Sequence, residues 1–181
     1  MSILFLVGAR ASGKTTIGKA LARSLGLPFA DTDQHMLQRA NLTVEQIVAA
    51  EGWPGFRTRE SLALQEVADA HPAGCVVSTG GGMVLAEENR LLMRQRGMVV
   101  FLDAPVQTLA ERLSRNPANS QRPSLTGKGL IEEIGQVLDE RRHLYELAAH
   151  HIVDASRPMP VVCRHIEQLW QQRKSPDHSS A

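Results

Sequence analysis

The run Gly8-Ala9-Arg10-Ala11-Ser12-Gly13-Lys14-Thr15-Thr16 constrains this chain more than any other feature. It fits G-x-x-x-x-G-K-[ST], the P-loop, whose backbone N–H groups curl around phosphate oxygens. Its setting agrees. Residues 3–7 form a short continuous apolar run, the pattern of a central parallel strand buried on both faces. Residues 14–25 then carry Ile17, Ala20, Leu21 and Leu25 at helical spacing. Strand, glycine turn and helix in that order aim a helix N-terminus at an anion. Lys14 reaches the β- and γ-phosphates of a nucleotide, and Thr15 offers a hydroxyl to Mg²⁺. The expected nucleotide-binding residues are Ala11, Ser12, Gly13, Lys14, Thr15 and Thr16.

The rest of the chain alternates strand and helix. Strands are expected at 27–30, 75–78, 98–102 and 151–153. Helices are expected from the Thr43/Gln46 capping box to Ala50, then at 56–70, 86–95, from Pro105 onward, at 130–149 and at 161–172. Gly52-Trp53-Pro54-Gly55 breaks the helix between 50 and 56. The polar stretch 115–128 has two prolines and no period, and a loop of that length suggests a lid. This alternation implies an α/β fold with a parallel sheet covered on both faces. In such folds ligands bind beyond the carboxyl ends of the strands.

Charge and cysteine content exclude several classes. Twenty Lys and Arg against nineteen Asp and Glu leave a formal charge of +1, so no broad field holds nucleic acid or an anionic membrane. The N-terminal apolar run stops at Gly8, well short of the ~20 residues that span a bilayer. Cys75 and Cys163 lack metal-ligand spacing and are expected to be buried, reduced thiols. His150 and His151 are adjacent without a ligand pattern, so no histidine metal site is expected, and His143 should face solvent. A cytoplasmic location is expected.

The strand ends suggest a second substrate. Asp31 and Asp33 lie two apart, and on an extended segment both carboxylates face one side. An N-cap with one spare solvated charge is the plainer alternative. Arg57 and Arg59 sit where a helix is expected to begin, which opposes the helix dipole unless an anion compensates. A carboxylate ligand suits the guanidinium fork, although surface pairs with Glu60 or Glu66 are also open. Thr79-Gly80-Gly81-Gly82 ends a strand and permits close approach of backbone to ligand. Trp53 and Phe56 are either pocket walls or simple packing.

Together these motifs resemble the shikimate kinase family, within the nucleoside-monophosphate-kinase-like P-loop proteins. The resemblance covers roughly Ile3 to Trp170. It rests on Lys14-Thr15-Thr16, Asp31-Thr32-Asp33, Gly55-Phe56-Arg57 with Arg59-Glu60, Thr79-Gly80-Gly81-Gly82, Arg122-Pro123 with Leu125-Thr126-Gly127, Arg141 four residues before Tyr145, and Ile152-Val153-Asp154. The wording is closer to the enterobacterial second isoenzyme than to its paralogue.

The resemblance implies a three-layer α/β/α fold with a five-stranded parallel sheet in the order 2-3-1-4-5. It also implies Mg²⁺-dependent transfer of the ATP γ-phosphoryl to the 3-hydroxyl of shikimate, in the route through chorismate to aromatic amino acids. Lys14, Asp33 and Arg122 would be catalytic, with Arg122 closing over the ATP phosphates from the lid. Asp33, Arg57, Gly80, Gly81, Gly82 and Arg141 would bind shikimate. Thr15 and Asp31 would serve the metal, and the segment from Ile152 to Pro158 would meet adenine. The expected organisation is one kinase domain at 1–173, with a substrate segment near 33–60, a lid near 114–128 and a disordered tail at 174–181. The expected partners are shikimate and ATP, with no nucleic acid or membrane, and the chain is expected to be a monomer.

Two other readings remain open at this stage. A gluconate-kinase-like enzyme shares the loop and lid, but a neutral sugar leaves two arginines unused. A non-catalytic nucleotide-binding module could lose acceptor and lid residues that this chain keeps. One departure stands out. Ala11 and Ser12 occupy positions where Gly and Cys are usual in the isoenzyme, so Ala11 is expected in an ordinary backbone region and nucleotide affinity is expected to shift slightly.

Overall fold

A computed structural model describes residues 3–115 and 129–174. Five strands form one parallel sheet in the order β2-β3-β1-β4-β5: β1 (Ile3–Val7), β2 (Phe29–Asp31), β3 (Val76–Ser78), β4 (Gly97–Asp103) and β5 (His151–Asp154). The central pair sets the register, with Ile3 opposite Gly97 and Val7 opposite Phe101. Every residue of β1 is buried, as its unbroken apolar run requires.

The described helices are α1 (Lys14–Leu25), α2 (Thr32–Ala40), α3 (Val44–Ala70), α4 (Glu87–Arg96), α5 (Val106–Ser114), α6 (Leu130–Ala148) and α7 (Met159–Lys174). The crossover from β1 to β2 moves one way along the sheet, and those after β3 and β4 move the other way. Right-handed connections therefore put α1 on one face and α4 to α6 on the opposite face. The chain turns back after β5, so α7 packs beside α1. The main core lies between these layers. A smaller cluster of Met36, Val44, Ile47, Phe56 and Ala63 joins α2 to α3. This satellite core carries the segment expected to hold the acceptor.

The strand order and three layers are as expected, with boundaries shifted by one to three residues. Two local differences matter. The strand at 27–30 instead runs Phe29–Asp31, and α2 starts directly at Thr32. The helices flanking residue 52 run on either side of a sharp kink, with Gly52 at φ 67° and ψ 179°. The second half resumes immediately after it, so Pro54 falls in its first turn, where a missing N–H is tolerated. The expected capping box is present, with Thr43 Oγ1 accepting from Gln46 N–H and Gln46 Oε1 accepting from Thr43 N–H.

Cys75 and Cys163 are buried free thiols, and burial pushes Cys75 up to about 11. His143 is exposed. Among the described residues no helix is long and apolar enough to cross a membrane. Most of the expected lid, including Arg122, and the tail beyond Lys174 lie outside the described residues.

Candidate active site

The loop after β1 needs backbone that most residues avoid. Gly8 has φ 148° and Gly13 has φ 96°. Ala11 also lies in the left-handed region, at φ 63°, against the expectation of an ordinary conformation. The loop's curl overrides the residue's preference, at a local cost of ~1–2 kcal/mol for an L side chain. Lys14 is 9% exposed and donates to the carbonyls of Gly8 (2.9 Å) and Ala9 (2.8 Å). Its ammonium is thus already held inside the loop. The Ser12 hydroxyl is buried with no hydrogen-bond partner among the described residues.

Asp31 ends β2 and caps α2. One carboxylate oxygen accepts from the N–H groups of Asp33 (3.1 Å) and Gln34 (3.2 Å), and the other accepts from Thr15 Oγ1 at 2.9 Å. The plain N-cap reading therefore holds for Asp31, and its second oxygen faces Thr15. The extended-segment argument for the pair fails, because the helix begins between the two carboxylates. Thr15 Oγ1 also lies 3.3 Å from Ser78 Oγ at the end of β3. Three hard oxygen donors gather here, the set that suits Mg²⁺. Ser78 was not evident in the sequence; its place at a strand's carboxyl end was the available signal.

The glycine run meets a need beyond the close approach of backbone to ligand that its sequence suggests. None of Gly80, Gly81 and Gly82 has a positive φ. Gly80 and Gly82 supply space for side chains, whereas a Cβ on Gly81 would make only ordinary contacts. A Cβ on Gly80 would lie 2.5 Å from Asp33 Oδ1 and 2.7 Å from Glu60 Oε1. One on Gly82 would overlap the Arg57 guanidinium, 2.5 Å from Cζ. Gly80 is buried beneath the cavity, where its N–H donates to Thr32 Oγ1 (3.2 Å). Gly81 and Gly82 line the cavity itself.

Arg57 forms an ion pair with Glu60, whose carboxylate is 3% exposed, and lies over the rings of Trp53 (5.5 Å) and Phe56 (5.3 Å). The two rings meet edge to face at 5.5 Å, and both line the cavity. Because the second half of α3 starts near residue 53, Arg57 lies beyond its first turn. The dipole argument from sequence therefore does not apply to it. Arg59 turns away from the cavity and grips Glu51 with two hydrogen bonds (2.8 and 2.6 Å) across the kink. It bridges the two halves of α3.

Arg141 projects from α6 and donates to the Gly81 carbonyl at 3.3 Å. That brings Asp33, Arg57, Gly82 and Arg141, from four separate elements, around one space. The space continues past Lys14 and Thr15 to Arg112, Ala155 and Arg157, giving a cavity of about 930 Å³. At this far end Arg112 donates to the Ala155 carbonyl (2.7 Å), tying α5 to the loop after β5. Arg112 was also not evident in the sequence. Its helix is amphipathic, and an arginine on such a face reads as solvated. Chemically, one end of this cavity presents an ammonium, loop backbone and oxygen donors, a set suited to phosphates and a divalent cation. The other presents two guanidinium groups, a carboxylate and backbone, the complement of a small hydroxylated anion.

The profile of the shikimate kinase family matches residues 10–171. A protein called shikimate kinase 2 from Syntrophotalea carbinolica is 54% identical over 170 residues, spanning 93% of this chain and 97% of that one. Another of that name, from Pectobacterium atrosepticum, is 54% identical over 154 residues, spanning 85% and 87%. The solved shikimate kinase of Acinetobacter baumannii in complex with shikimate superposes with a TM-score of 0.86 at 33% identity. It covers 97% of this chain and 96% of its own.

Proposed function

This chain belongs to the shikimate kinase family, and from that premise we propose that it transfers the γ-phosphoryl group of ATP to the 3-hydroxyl of shikimate. The observation that carries the proposal is the single cavity joining the Lys14 loop to Arg57 and Arg141. Shikimate is a small carboxylate with hydroxyls on a ring. Two guanidiniums suit its carboxylate, and the Asp33 carboxylate can accept from ring hydroxyls. An uncharged sugar acceptor would make no use of the two guanidinium groups at this end of the cavity.

Each residue then has a role. Lys14 neutralises the β- and γ-phosphates, and Ala11 to Thr16 supply backbone and hydroxyl donors around them. Thr15 and Asp31 would hold Mg²⁺, with Ser78 beside them; bound there, the ion supplies charge neutralisation for the transferring group. Asp33 orients the acceptor hydroxyl and is the proton acceptor. Arg122 is proposed to act from the lid. Phosphoryl transfer with a loose transition state depends mainly on alignment and charge, which these groups supply. Both ends of the cavity come from one chain, which supports a working monomer built as one kinase domain.

The test is ADP release with Mg·ATP and shikimate, gluconate or a nucleoside monophosphate. Saturable turnover with shikimate alone is expected, and Arg57→Ala should raise its KM sharply. ATP binding without turnover on shikimate would overturn the acceptor and favour a binding module. An Asp33→Asn variant with normal shikimate affinity and near-normal kcat would remove the base role.

A further inference from the structure

Tyr145 is 1% exposed, yet its hydroxyl is aimed at the site. It donates to the Gly81 carbonyl at 2.7 Å, the oxygen to which Arg141 also donates at 3.3 Å. Residues 141 and 145 lie one turn apart on α6, so both donors converge from one helix face. The ring stacks on Phe101, with centroids 5.0 Å apart and planes at 21°. Phe101 is paired with Val7, the residue that leads into the phosphate loop. Gly81 lies against that loop: a Cβ on it would be 3.6 Å from Gly8 O and 3.7 Å from Arg10 N. Three successive glycines have wide conformational freedom. The Gly81 peptide nonetheless borders both the phosphate loop and the acceptor end of the cavity.

We propose that Tyr145 is a positioning residue: its hydroxyl pins the Gly81 carbonyl and, through that shared oxygen, sets Arg141 for the acceptor's carboxylate. The proposal rests on the shikimate-kinase reading above. Ring packing alone would not need the hydroxyl, and a polar atom so buried is costly unless it is bonded. Burial pushes the phenol up to about 12, so it stays a donor throughout the working pH range.

The test is Tyr145→Phe, which keeps the ring on Phe101. With Gly81 held by Arg141 alone, KM for shikimate should rise about tenfold, the worth of one buried hydrogen bond. KM for ATP should stay within about twofold, since Lys14 and the loop keep their own bonds. The shared oxygen also predicts coupling: Tyr145→Phe with Arg141→Ala should lose much less than the product of the single losses. Three results would overturn the role: an unchanged KM for shikimate, equal rises in both KM values, or losses that simply multiply. Wild-type protein that binds Mg·ATP but leaves shikimate untouched would instead overturn the functional reading, and this role with it.

Discussion

Gly82→Ala separates conformational from spatial reasons for a glycine. Gly82 sits at φ −95° and ψ −4°, a region open to alanine. Backbone strain is therefore absent, and a smaller unfolded ensemble favours the variant by ~0.4–1 kcal/mol. The obstacle is Arg57. The new methyl would overlap its guanidinium and lie 2.5 Å from Cζ. Ordinary contacts need about 3.5 Å and Nη1 lies nearer still than Cζ, so the head group must retreat by more than ~1 Å. It ends a flexible side chain, so it moves and the backbone stays. The fold survives and the carboxylate grip does not. Displacing a substrate-positioning group by ~1 Å can cost on the order of a hundredfold. Loss of charge-assisted hydrogen bonds worth ~1.5–3 kcal/mol gives a similar tenfold-to-hundredfold range. The assay is steady-state kinetics with each substrate varied, beside thermal unfolding. KM for shikimate should rise by about 10- to 100-fold. The melting temperature should move by less than about 3 °C. KM for ATP should hold. In an Arg57→Ala background the same change should add little, because the clashing group is gone. Near-normal shikimate kinetics, or equal damage with and without Arg57, would refute the steric argument.

Relief of Ala11 from φ 63° should stabilise the protein. Ala11→Gly recovers ~1–2 kcal/mol of backbone strain and gives back ~0.4–1 kcal/mol of unfolded-state entropy, so melting should rise, by up to about 6 °C in a chain of this size; a fall would contradict the left-handed conformation. Stability should decline as pH drops below about 6.5, the ordinary histidine value. His150 Nδ1 accepts from Val99 N–H at 3.0 Å, and desolvation, with the charge of Arg94 next, holds its pKa below the usual range. His151 is lowered for the same leading reason. The unfolded chain therefore binds protons first, and stability present above that pH is lost as pH falls. Melting curves from pH 7.5 to 5.5 check this, and His150→Gln should flatten the decline.

Local features were legible because they are written in neighbouring residues. The apolar run of β1, the glycine loop and the spacing of α1 each need only a few consecutive side chains. The Thr43/Gln46 capping box is equally local, and it formed as expected. Where a local rule was applied to a residue under tertiary control, it failed. Ala11 obeys the closure of the loop around Lys14, not its own preference. Asp31 and Asp33 are divided by a helix that begins as soon as β2 ends. By residue type Arg57 and Arg59 are two like cations in one segment, and only the resemblance separates them; in the structure Glu51 takes Arg59 across the kink at Gly52 while Arg57 lines the cavity.

The sequence by itself determined that this chain makes a parallel α/β fold with a phosphate loop at the end of its first strand, since periodicity and motif are short-range properties. It also supplied, through the ordered set of motifs, the family. Only the tertiary structure decided why glycines stand at 80 and 82 after β3. Gly80 makes room for Asp33 and Glu60, and Gly82 for Arg57, residues far away in the chain. Only it showed that Tyr145 and Arg141 share the Gly81 oxygen, and that Ser78 stands beside Thr15. Such convergence depends on how β3, α2, α3 and α6 pack against one another, and no window of consecutive residues contains that information.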